Sequence, residues 1–149
     1  MTPQSLSRRV IMERLAIVEQ LLKRLQALPL DDSAAFFADA RNLDAAESLL
    51  RRSLEALVDI GRHILAKGFG RAVSEYREVG PALGEVAVLN AEDAATLSML
   101  ARYRNRMVHF YHEVTAEELY SICAHELADV QRIGHAYLSW LDQHSAVDE

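Results

Sequence analysis

An arginine, a histidine and a tyrosine fall close together in the run Arg104-Asn105-Arg106-Met107-Val108-His109-Phe110-Tyr111. A histidine titrates near neutral pH and can take or give a proton. An arginine stays charged and presents a planar fork of donors that matches phosphate oxygens. The set suits a site that grips a phosphate and moves a proton.

Arg104 stands where an apolar stripe, Leu97, Leu100, Tyr103, Met107 and Val108, ought to continue. A fixed cation there is costly unless it is paired or solvated, so it should border a groove. At about 100° per residue, Tyr111 returns to within about 20° of Arg104 on a continuous helix, whereas His109 diverges by about 140°. Two arrangements satisfy this geometry. The helix breaks near residues 108–112, or Arg104 and His109 line opposite walls of a cleft completed by a second subunit.

The chemistry fits RNA cleavage without a metal. The histidine would take the 2′-hydroxyl proton or give one to the leaving 5′-oxygen. The arginine would stabilise the charge on the pentacoordinate phosphorus. One histidine per chain is not obviously both acid and base, and a symmetric dimer would bring two.

Other residues have plainer readings. His109, His112 and Glu113 have a spacing that can chelate a metal from one helix face, but no fourth ligand is evident, so no metal is expected. Asp59 and His63 lie one helical turn apart and read as a surface pair. Gly68-Phe69-Gly70 follows a helix rather than a strand and reads as a turn, not a phosphate loop. Cys123 falls in a core stripe, as a small buried hydrophobe.

The elements that must carry these residues are helical. Alanine, leucine, glutamate and arginine dominate, against 6 glycines and 3 prolines. The spacing of Ile11, Leu15, Val18, Leu22 and Leu25 predicts one long helix over about residues 5–28, capped by Ser5 or Ser7 and stopped by Pro29. Ser33 should cap the next segment, whose stripe of Phe36, Ala40, Leu43, Leu50, Leu54, Leu57, Gly61 and Ile64 runs to a terminator at Gly68. Glu47 interrupts that stripe, which implies a bend or restart near Asn42.

Residues 68–90 are the least regular, with one or two short helices interrupted at Gly80-Pro81. Asn90 with Asp93 marks a fresh N-terminus, and Thr115 with Glu118 a capping box. The last stripe runs through Leu119, Ile122, Cys123, Leu127, Val130, Ile133, Tyr137 and Leu141. The sum is one all-α domain over residues 1–149, an antiparallel bundle of four main helices plus short ones. About 5–142 should be structured, with 143–149 a frayed tail.

Charge and length limit the partners. A net charge of −6 argues against indiscriminate coating of nucleic acid, yet 14 of the 16 basic residues are arginine, and Arg102, Arg104 and Arg106 crowd together. Contact with RNA would therefore go through a local arginine cluster. No apolar run approaches the ~20 residues that span a bilayer, no signal peptide is visible, and a single cysteine suits a reducing cytoplasm.

The segment RNRMVHFYHEV resembles the Arg-x-x-x-x-His-x-Tyr signature of HEPN-domain toxins of the HepT type. LRRSLEALVDIGRHILA is similar to that family's second long helix, and SEYREVGPALGEVAVL to its mid-chain segment. The resemblance covers roughly residues 10–140. It implies an all-α homodimer whose paired motifs form a metal-independent ribonuclease site in the dimer cleft, with no cofactor. It further implies a minimal nucleotidyltransferase antitoxin that transfers AMP from ATP to the signature tyrosine. Carried over, Arg104 and His109 would be catalytic, Asn105 supporting and Tyr111 the modified residue. Asp59 and His63 would then sit near the cleft. The alternative the resemblance leaves open is a catalytically inactive HEPN-like dimer that only binds a nucleotidyltransferase.

Overall fold

The computed structural model of the chain describes residues 6–109 and 114–144. Tyr111, His112 and Glu113 lie outside the described residues, as do Ser5 and the tail from residue 145. Among the described residues there are seven helices: α1 (Arg8–Gln26), α2 (Ser33–Ala38), α3 (Ala40–Phe69), α4 (Tyr76–Glu85), α5 (Ala91–Val108), α6 (Ala116–His125) and α7 (Leu127–Asp142). No helix is long and apolar enough to cross a membrane.

Local chemistry sets most of the boundaries. The Ser7 side chain accepts from the Val10 N–H and opens α1. Pro29 restricts the residue before it and keeps α1 from running on. At the next start the cap is Asp32, not Ser33: its carboxylate accepts from the Ala35 N–H at 3.2 Å and Ser33 is already helical. The restart expected near Asn42 falls at Asp39, whose side chain caps α3 through the Arg41 N–H. Asn42 Nδ2 donates to the Phe36 carbonyl at 3.1 Å and ties the two segments together.

α3 runs past Gly68, which is buried inside it, and stops at Gly70. Gly70 takes φ 61°, the left-handed conformation that glycine adopts without penalty, and the Arg71 N–H then reaches the Leu65 carbonyl at 2.9 Å.

Two expected boundaries are corrected. Gly80-Pro81 does not interrupt the mid-chain segment, because α4 runs straight through it. Gly80 lacks the Cβ that would crowd the proline ring. A Cβ there would also meet the Ala94 carbonyl oxygen and Ser98 Oγ, each at 2.6 Å, so α4 rests directly on α5 at this point. The last helix is divided at Glu126 into α6 and α7. The Glu126 carboxylate accepts from the Tyr103 hydroxyl of α5 at 3.1 and 3.2 Å. No helix-breaking residue marks that position.

α1 lies along α3, α4 along α5, and α6 and α7 close the antiparallel bundle. The stripe residues of α1 are all buried, as are Leu50, Leu54, Leu57 and Ile64 of α3 and the eight residues of the α6–α7 stripe. Each such side chain contributes about 1.5–3 kcal/mol by leaving water. In the α5 stripe Leu97 and Leu100 are buried, Tyr103 and Met107 are half-buried, and Val108 is exposed at the helix end. Tyr137, fully buried on α7, donates its hydroxyl to the Leu57 carbonyl of α3 at 3.1 Å. Arg8 pairs with Asp142 and joins the two ends of the described chain.

Candidate functional site

α5 is capped by Asn90, whose side chain accepts from the Asp93 N–H at 2.8 Å, and its last turns carry Arg104 and Asn105. The helix ends at Val108. His109 has extended backbone (φ −104°, ψ 99°), with its N–H still bonded to the Asn105 carbonyl at 3.1 Å. That turn out of the helical path answers the angular divergence of Arg104 and His109. Both side chains, with Asn105 between them, line one groove of about 590 Å³. A break near residue 108, the first of the two arrangements allowed by the sequence, is present at the end of α5.

Arg104 is held from three sides. Its side chain is 24 % exposed. Nε and Nη2 donate to Glu55 Oε2 of α3 at 3.0 and 2.9 Å, and Nη1 donates to Asn105 Oδ1 at 3.2 Å. The guanidinium lies over the ring of Tyr76 of α4, 4.4 Å from its centroid. Glu55 also accepts from Arg51 Nη1 through its other oxygen at 3.4 Å, and Arg51 Nε reaches Glu47 at 3.1 Å. A ladder of alternating charge thus runs along α3 and ends at Arg104. Glu47, which interrupts the apolar stripe, stands on that ladder.

The expected arginine cluster is divided. Arg106 forms a two-pronged pair with Glu118 of α6 at 2.7 and 2.8 Å, which draws that carboxyl below its usual range and fastens α5 to α6. Arg102 is exposed and does not line the groove. The other cations of the groove come from elsewhere in the chain, Arg62 on α3 and Arg77 on α4, with Ser74, Glu75 and Tyr76 beside them.

Tyr76, Glu55, Arg62 and Arg77 were not marked by the sequence motifs. Burial, then the hydrogen bond and negative charge of Asp59, push the Tyr76 hydroxyl up to about 12, so it stays neutral at any working pH. Asp59 also faces Arg62 Nη1 at 3.4 Å. Asp59 therefore pairs with Arg62 and Tyr76 rather than with His63. Both Asp59 and His63 line an adjoining groove of about 620 Å³ with Arg14 and Ile17, and Arg62 borders both grooves. His63 Nε2 is buried with no hydrogen-bond partner among the described residues.

Among the described residues, no group of three His, Cys, Asp or Glu side chains is placed to hold a metal ion. Two of the three residues with chelating spacing, His112 and Glu113, lie outside the described residues. Cys123 is buried, and burial pushes its thiol up to about 12.

Comparison with known proteins follows the same lines. Residues 14–136 match the family model described as ribonuclease HepT-like. The fold is similar to that of the tri-AMPylated Shewanella oneidensis HEPN toxin in complex with MNT antitoxin, at 22% identity and TM-score 0.79 over 87% of this chain and 97% of that one. A toxin–antitoxin structure with AMP-PNP matches at 21% identity and TM-score 0.78, over 89% of this chain and 99% of that one. YutE of Bacillus subtilis, a cytosolic protein of unknown function, matches at 18% identity and TM-score 0.79 over 98% of both chains. At such identities the likeness establishes the fold alone. No curated protein matches the chain significantly.

Proposed function

The chain belongs to the HepT-like ribonuclease family, and from that premise we propose that it is the toxin of a two-component toxin–antitoxin module, an endoribonuclease acting in the cytoplasm. The observation that carries this reading is the shared groove of Arg104, Asn105 and His109. Arg104 binds the scissile phosphodiester and stabilises its developing charge. Asn105 holds the guanidinium through Oδ1. The 2′-oxygen bonds to phosphorus as the bond to the 5′-oxygen breaks. This yields a 2′,3′-cyclic phosphate on one fragment and a 5′-hydroxyl on the other. One imidazole takes the 2′-hydroxyl proton and a second, from a symmetry-related copy, protonates the departing oxygen. The reaction in this form needs no metal, and the active unit is a homodimer with the two motifs in one cleft.

The partner is a minimal nucleotidyltransferase antitoxin that silences the toxin by moving AMP from ATP onto Tyr111, two residues beyond His109. The adduct adds negative charge and bulk where an RNA phosphate would bind. The test is direct. A folded His109→Ala protein should lose RNA cleavage and growth arrest, and undiminished toxicity in that variant would overturn the reading.

One observation favours a second reading. Arg104 already has a carboxylate, Glu55, at 2.9 Å, as an arginine kept only for structure would. In that case the chain is an inactive dimer whose role is to bind the nucleotidyltransferase. Purified protein that binds its partner but leaves RNA intact, with and without chelator, would decide for it.

A further inference from the structure

The groove carries more arginines than one phosphate requires. Among the described residues that line it, three of eight are arginines and Glu75 is the one carboxylate, on a chain whose net charge is −6. Glu55 and Asp59, which pair with Arg104 and Arg62, are outside that lining. Arg104 and Arg62 are anchored, Arg62 by its Nε to the Val73 carbonyl at 3.1 Å and its Nη1 to Asp59. Arg77 is different. Its side chain is 71 % exposed, and its hydrogen bonding among the described residues is one contact, from Nε to Glu75 Oε2 at 2.8 Å. An exposed pair between residues so close in sequence contributes little and gives way readily to a stronger ligand. The two terminal nitrogens remain as a donor pair of the kind that grips a phosphate.

An RNA strand is a regular row of phosphates. Seating one of them at Arg104 leaves its neighbours in the strand to be met by other donors of the same groove, and Arg77 lines it too. We propose that Arg77, which shares the groove with Ser74 and Arg62, forms a second phosphate subsite that holds the phosphate adjacent to the scissile one. The proposal rests on the reading of the groove as an RNA site and adds to it. Arg77 is a binding residue here, not a catalytic one. Contacts of this kind set the register of a strand on a protein, so Arg77 would help decide which bond faces His109.

The experiment uses a labelled single-stranded RNA oligonucleotide and the full-length protein, with binding followed by fluorescence anisotropy across a salt series. Each phosphate contact on a single strand contributes about 0.7 to the slope of log affinity against log salt. Arg77→Ala should flatten the slope by about that amount and weaken binding about five- to tenfold at low salt. Arg77→Lys should keep the slope, because it keeps the charge. Glu75→Gln should tighten binding, because it removes the carboxylate that competes for Arg77. An unchanged slope in Arg77→Ala, an equal loss in Arg77→Lys, or a wild-type protein that binds no RNA overturns the subsite. Cleavage of the same oligonucleotide by the wild type separates the two levels. Cleavage with an unchanged Arg77→Ala slope sinks the subsite and spares the ribonuclease. A flattened slope without cleavage does the reverse.

Discussion

The Arg104 guanidinium carbon sits 4.4 Å from the centroid of the Tyr76 ring, and this contact spans the groove from the end of α5 to the start of α4. A cation over an aromatic face is worth about 0.5–2 kcal/mol, depending on how far it is removed from water. The ring hydroxyl faces Asp59 of α3, whose negative charge adds to burial in keeping it neutral. Stacked on Tyr76 and bonded to Glu55, the guanidinium has its plane defined as well as its position. Three helices cooperate to aim one side chain.

The ring of Tyr76, rather than its hydroxyl, should therefore matter most for turnover. Tyr76→Phe should keep cleavage within about threefold of the wild type, while Tyr76→Leu should lower kcat/KM about tenfold by letting Arg104 wander. Steady-state cleavage of one oligonucleotide by the three proteins is sufficient. Equal rates in all three would mean that the stack does not orient Arg104.

Gly61 should be intolerant of even one methyl group. A Cβ there would meet Leu83 Cδ1 and the Tyr137 hydroxyl at 2.8 Å and Val79 Cγ1 at 2.9 Å, where α3 faces α4 and α7. Gly61→Ala should cost about 1–3 kcal/mol by overpacking, partly offset by the better helix propensity of alanine. Urea unfolding of the two proteins measures it, and a variant as stable as the wild type would show that the interface yields.

His63 should make the fold sensitive to acid. Burial first, and then the charges of Arg14 and Lys67, hold its pKa below the ordinary 6.5. The unfolded chain thus binds a proton at a higher pH than the folded one. The contribution of neutral His63 to stability is complete above about pH 6.5 and is lost as pH falls through that value toward the lowered folded pKa. The wild-type melting temperature should drop more between about pH 7.5 and about pH 5.5 than that of His63→Gln. Identical drops would remove His63 as the cause.

Tyr111 should be the acceptor of the silencing modification. Incubation with ATP and the partner nucleotidyltransferase should raise the intact mass by one or more AMP units and reduce cleavage. Tyr111→Phe should show neither change. An unmodified wild type, or a Tyr111→Phe protein that still gains AMP, would assign the reaction elsewhere.

How legible all this was depended on distance along the chain. The α1 stripe, the Asn90 cap and the Thr115 cap involve partners three or four residues apart, so their spacing alone revealed them. Gly80-Pro81 misled because the proline rule describes an isolated helix, whereas α4 is laid on α5 and depends on the missing Cβ. The division at Glu126 left no local trace, since Cys123 and Leu127 keep helical spacing across it. Arg104, Asn105 and His109 share a short segment and could be grouped in advance. Glu55 and Tyr76, which hold Arg104, lie 49 and 28 residues away, and only folding brings them to it.

Glu55 accepts Arg51 on one oxygen and Arg104 on the other. Were Arg104 its sole neighbour, a guanidinium whose charge is shared with an incoming anion would leave an ionised carboxylate poorly neutralised in a half-buried place. With Arg51 already attached, the carboxylate keeps a second counter-ion of its own. Arg104 can therefore stay seated on Tyr76 and Glu55 while it serves a phosphate on its open side.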